Sequence, residues 1–78
     1  MRIVDVEATG ENIRVMMASR GLTARDIAEA CGLTTRNAVY RWIQGNHLPS
    51  IDNLVILTGI FAVSMEDIVA VREIADAG

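Results

Sequence analysis

Thr23-Ala24-Arg25-Asp26-Ile27-Ala28-Glu29-Ala30-Cys31-Gly32-Leu33-Thr34-Thr35-Arg36-Asn37-Ala38-Val39-Tyr40-Arg41-Trp42-Ile43-Gln44-Gly45 holds two short helical signals with a glycine turn between them. Thr23 and Asp26 have the Thr-x-x-acid form in which each side chain satisfies the other residue's free backbone N–H. Ile27, Ala28 and Cys31 then fall on one side until Gly32. After the turn, Thr34 or Thr35 can cap a further helix running to Gln44, where Gly45 ends it. On a wheel starting at Thr35, the apolar residues Ala38, Val39, Trp42 and Ile43 share an arc of roughly 140°, wide enough to face a core. The opposite arc carries Arg36, Asn37, Tyr40, Arg41 and Gln44, and no acid.

The same reading extends outward in both directions. Upstream, Thr9-Gly10-Glu11 precedes Ile13, Met16 and Met17 at helical spacing, and Gly21 is placed to close that helix. Downstream, Asn46-His47-Leu48-Pro49 reads as a loop, because the residue before proline is steered away from helical dihedrals. Ser50 caps a fourth helix with Asp52 in its first turn and Leu54, Leu57 and Phe61 inward. Ser64-Met65-Glu66-Asp67 opens a fifth helix that carries Ile68, Val69, Val71 and Ile74. Residues 1–8, with β-branched Ile3, Val4 and Val6, suit an extended arm or a short strand, which would need a partner. The expectation is an all-α fold: one compact five-helix domain over residues 9–78 and a short extended N-terminal arm over residues 1–8.

Composition sets limits on function. Seventy-eight residues build a single core with no room for a catalytic lobe. No apolar run reaches membrane-spanning length, and the first residues lack the pattern of a secretion signal. The one cysteine, Cys31, lies on an apolar helix side, which suits a packed small hydrophobe and a reducing cytoplasmic setting. Net charge is −3, yet residues 14–47 carry five arginines against two acids while both flanks are acidic, so the middle can present one positive face. There is no lysine, so apart from the N-terminus every fixed cation is a guanidinium able to grip phosphate or guanine with two hydrogen bonds.

Few residues offer other chemistry. His47 has no second His or Cys at ligand spacing, so no metal site is expected. Trp42 belongs with its apolar neighbours, and Met16, Met17 and Met65 read as core filler. The pattern contains no catalytic triad, no phosphate-cradling glycine loop, and no sign of a cofactor or small-molecule ligand. The polar arc around Arg36 to Gln44 remains, and its side chains suit base edges and phosphates.

The order of these signals over residues 10–70 resembles the Cro and phage-repressor (XRE-type) helix-turn-helix family. Its carriers are Asn12-Ile13-Arg14, Gly21-Leu22-Thr23, Ile27-Ala28 and Cys31-Gly32-Leu33-Thr34. They continue with Ala38-Val39-Tyr40-Arg41-Trp42, Gly45, Leu48-Pro49-Ser50, Leu54, Phe61 and Val63-Ser64. The resemblance implies a repressor-like DNA-binding domain whose third helix, about Thr35–Gln44, enters the major groove of double-stranded DNA while the second bridges phosphates. Mapped by position, it implies base contacts from Thr35, Arg36, Asn37 and Tyr40. It implies phosphate contacts from Thr23, Arg25, Thr34, Arg41, Gln44, Gly45, Asn46 and His47. Two departures stand out: Ala24 replaces the glutamine of many members, and the stretch from Gly32 to Trp42 is one residue longer than usual.

A single module of this size reads few base pairs, which favours a homodimer, and Met65, Ile68, Val71 and Ala75 recur at helical spacing either as its interface or as cover for the chain's own core. The acidic balance keeps two other readings open, a protein-interaction module on the same scaffold and the antitoxin of a toxin pair.

Overall fold

The carboxylate of Asp5 accepts a hydrogen bond from the backbone N–H of Ala8 at 2.9 Å, and the first helix, α1 (Val6–Ser19), starts there. The computed structural model describes residues 1–75. Four more helices follow: α2 (Ala24–Ala30), α3 (Asn37–Ile43), α4 (Ile51–Phe61) and α5 (Met65–Ile68). Strands β1 (Arg2–Val4) and β2 (Val71–Glu73) pair antiparallel, with Ile3 opposite Arg72, and join the two ends of the chain. The fold is the expected five-helix bundle, and the expected arm is one strand of a terminal ribbon.

Among the described residues, ten apolar ones form the core. Ile13 and Met17 of α1, Ile27 and Ala28 of α2, Val39 and Trp42 of α3 meet Leu54, Leu57 and Phe61 of α4 and Ile68 of α5. Removing such side chains from water drives the packing, at roughly 1.5–3 kcal/mol for each large one. Cys31 packs half-buried against this core, and burial pushes its thiol above the usual range, as suits a small hydrophobe.

Three boundaries differ from the sequence reading. Helix α1 starts at Val6 instead of after Thr9-Gly10, because Asp5 is the cap and Glu7 sits in the first turn. Gly10 is therefore inside a helix, where glycine normally costs stability. Here its lack of a side chain is required: a Cβ would sit 2.1 Å from the carbonyl oxygen of Trp42. Gly45, at φ +77°, meets the same helix from the other side, with the Cα of Glu7 only 2.9 Å from where its Cβ would be. These two contacts seat the end of α3 on the start of α1.

The second difference is at α5, which stops at Ile68, so no helix carries Val71, Ile74 or Ala75. Ile68 is fully buried in the chain's own core, Val71 lies in β2, and Ala75 follows the strand. Met65, Ile68, Val71 and Ala75 therefore form no continuous helical stripe. The cause is competition for hydrogen bonds from partners distant in sequence. Asn12 of α1 donates to the carbonyl of Ile68 at 3.0 Å, and the hydroxyl oxygen of buried Thr9 accepts from the N–H of Ala70 at 2.9 Å. With those groups satisfied and β1 waiting as a partner, the β-branched run continues as strand. The third difference, a late start to α3, bears on function.

Candidate nucleic-acid interface

Between α2 and α3 lies a six-residue connection, Cys31 to Arg36. Neither Thr34 nor Thr35 is the N-cap of α3; Arg36 holds that position without a side-chain cap, and the Thr35 hydroxyl oxygen accepts from the N–H of Asn37 at 3.3 Å. The longer stretch noticed in the sequence is thus taken up as a bent approach, and Thr34, Thr35 and Arg36 lie before the helix.

The wheel of α3 is realised. Val39 and Trp42 are buried, Ala38 and Ile43 half-buried, and Asn37, Tyr40, Arg41 and Gln44 exposed. Among the described residues, the side chains of Arg36, Asn37, Tyr40 and Arg41 make no hydrogen bond or ion pair. Past the helix, the carbonyl of Arg41 accepts from the N–H groups of Asn46 and His47 at 2.9 and 3.3 Å, and Asn46 donates to Gln44 at 3.4 Å. This turn carries the exposed Asn46 and His47 past the end of α3, while Gly45 is half-buried against Glu7 of α1.

Helix α2 has the predicted reciprocal cap. The Thr23 hydroxyl oxygen accepts from Asp26 N–H at 3.1 Å and the Asp26 carboxylate accepts from Thr23 N–H at 2.8 Å, which holds that carboxyl below its ordinary range. Arg25, one turn before Glu29, donates to it at 3.2 Å with both side chains mostly in solvent. Exposed pairs of this kind contribute little stability, so Arg25 can exchange Glu29 for another anion. Arg25, Thr34, Thr35 and Arg36 line one cleft of about 210 Å³. The structure thus brings together residues expected to contact phosphate and residues expected to contact bases.

The positive middle of the sequence is less uniform than its count of arginines suggests. Arg14 is paired with Glu11, and Arg20 donates to the Phe61 carbonyl at 3.0 Å while lying 5.5 Å from the centre of the Phe61 ring. Arg20 holds α1 to the end of α4. Arg36 and Arg41 are left as the uncommitted cations of the α2–α3 unit.

The family profile described as helix-turn-helix matches residues 13–68. The chain belongs to the helix-turn-helix family. No curated protein matches it at the level of sequence. Among solved structures it is similar to the restriction-modification controller protein C.AhdI from Aeromonas hydrophila, with TM-score 0.72 and 22% identity over 82% of this chain and 96% of that one. It is also similar to the clp gene regulator ClgR from Corynebacterium glutamicum, with TM-score 0.71 and 26% identity over 80% of this chain and 65% of that one. The helix-turn-helix match and these neighbours support DNA-binding transcriptional regulation as the role of this fold. No helix among the described residues is long and apolar enough to cross a membrane.

One apolar surface escaped the sequence reading. Ile51 and Val55 are 72% and 56% exposed on α4, the first isolated between Ser50 and Asp52 and the second inside the apolar run Leu54-Val55-Ile56-Leu57. The available signal was that α4 is hydrophobic nearly all round, more than one buried face requires.

Proposed function

We propose that the chain represses transcription by occupying a specific double-stranded operator as a homodimer. Asn37 and Tyr40 on the outer face of α3, with Thr35 and Arg36 just before it, read base edges in the major groove. Arg41, Thr34, Thr23, Arg25, Gln44 and the Gly45-Asn46-His47 loop hold phosphates. The observation that carries this reading is the exposed, acid-free face of α3, on which the Arg41 guanidinium, the Asn37 amide and the Tyr40 phenol have no partner among the described residues. Such donors suit guanine O6/N7, adenine N6/N7 and phosphate oxygens.

The carboxylates of Asp26 and Glu29, next to two of the proposed phosphate contacts, favour the competing reading of a protein-interaction module or antitoxin. Selection from a random DNA duplex pool at physiological salt separates the two. Enrichment of a palindrome with half-sites about one helical turn apart is the expected result. No enriched motif, with only weak salt-sensitive binding, would overturn the operator reading.

A further inference from the structure

The terminal ribbon has two unlike faces. Side chains alternate along a strand, so Ile3 and the Arg72 opposite it point one way, while Arg2, Val4, Val71 and Glu73 point the other. The face of Ile3 and Arg72 borders a cleft of about 390 Å³ beside the start of α1, where Asp5, Glu7 and Gly45 also line the wall. Gly45 is the residue before Asn46 and His47, whose exposed side chains stand among the proposed phosphate contacts. The ribbon thus flanks the end of α3, although it lies outside residues 13–68, the part that the family profile covers.

Arg72 is the cation of this cleft. It is exposed, and among the described residues its side chain makes no hydrogen bond or ion pair. The other arginines outside α2 and α3 are all engaged: Arg2 lies 3.8 Å from Glu73, Arg14 is paired with Glu11, and Arg20 donates to the Phe61 carbonyl. Neither acid of the cleft pairs with Arg72. Asp5 is occupied as the cap of α1, and the stem of Glu7 lies against Gly45. A free guanidinium beside a phosphate-holding turn is suited to a second phosphate, which it can grip with two hydrogen bonds. We propose that Arg72 extends the duplex-binding surface beyond the helix-turn-helix unit and holds a backbone phosphate next to the one held by the Asn46-His47 turn. The proposal deepens the operator-binding reading and rests on it for the placement of the duplex.

Two measurements on the full chain test it: duplex titrations over a range of salt, and ethylation interference, in which single phosphates of the selected duplex carry an ethyl group. Arg72→Gln removes the charge and leaves the strand backbone able to pair. It should weaken selected and unrelated duplexes alike, by roughly five- to tenfold near 0.1 M salt, and reduce the salt slope by about one. Arg72→Lys keeps the charge and should keep the slope. Arg2→Gln removes the same charge from the other face of the ribbon and should change affinity by less than about twofold, since salt screens charges that touch no phosphate. Ethylation of one particular phosphate should weaken the wild-type chain and have no effect on Arg72→Gln. Arg72→Gln acting no more than Arg2→Gln, or the same phosphates remaining sensitive in both chains, would overturn the proposal. If one sequence is selected and Arg72→Gln still behaves like wild type, the ribbon contact alone falls. If none is selected while Arg72→Gln still flattens the salt dependence on unrelated duplexes, the operator reading alone falls.

Discussion

On its inner side α3 lies so close to α1 that Gly10 has no room for a methyl group, whereas on its outer side Asn37, Tyr40 and Arg41 reach only solvent among the described residues. Close packing leaves the inner side one arrangement, since interiors resist even one added methylene. The outer groups are hydrated and have no intramolecular bond to break before meeting a ligand. A polar face of this kind is useful for recognition only when its backing is stiff, because binding otherwise has to fix the helix as well as the side chains. Gly10 and Gly45 supply that backing from opposite directions.

The largest effect should come from breaking the inner contact. In an ordinary helix Gly10→Ala would help by about 1 kcal/mol. Here the new methyl would overlap the Trp42 carbonyl, and overpacking of this kind costs about 1–3 kcal/mol or more. Thermal unfolding should show Tm lower by roughly 10 °C, given the usual response of a domain this small. An unchanged or raised Tm would show that α1 and α3 can move apart freely. A lesser loss is expected away from α3. Thr9→Val keeps the shape but leaves the Ala70 N–H without its acceptor, at about 1–3 kcal/mol. Hydrogen exchange should quicken at Ala70 and in β2 while α3 stays protected; equal quickening in both would mean that the ribbon and α3 open as one unit.

What could be read in advance followed local rules. The cap of α2, the inward set Leu54, Leu57 and Phe61, and the two sides of α3 depend on residues within a few positions of one another. What could not be read depended on distant partners. Gly10 looks like a helix boundary until Trp42 is set against it, and Val69 to Ile74 look like helix until Thr9, Asn12 and β1 offer better hydrogen bonds. At the candidate site, Asn37 and Tyr40 fall on the foreseen face, but Thr35 and Arg36 are displaced into the approach because the connection is longer. The roles of Arg14 and Arg20 were hidden in the charge count, since sequence alone does not show that Glu11 and the Phe61 carbonyl engage them.

Changes on the outer face should leave folding nearly untouched and alter selection. Arg36→Ala and Asn37→Ala are each expected to shift stability by less than about 0.5 kcal/mol, as exposed positions do. Each should lower discrimination by about 1–3 kcal/mol at one base pair of the selected site, whereas Arg41→Ala should weaken all sequences alike and reduce the salt slope by about one. Equal, sequence-blind losses from all three would mean that this face holds backbone only.

The smallest effect concerns the cation that already has a partner. Glu29 holds Arg25 at 3.2 Å, so in the proposed complex it would compete with phosphate for that guanidinium, and its charge would repel the duplex. Glu29→Gln removes both effects while sacrificing an exposed ion pair worth only about 0.3–0.5 kcal/mol. Titrations with specific and unrelated duplexes should therefore tighten together by a few-fold at low salt and converge on the wild-type values as salt rises and screens the charge. If Glu29→Gln instead weakens binding, the pair is holding the Arg25 guanidinium in the pose that phosphate needs, and Arg25 belongs with the prepared inner side of the unit more than with its free outer face.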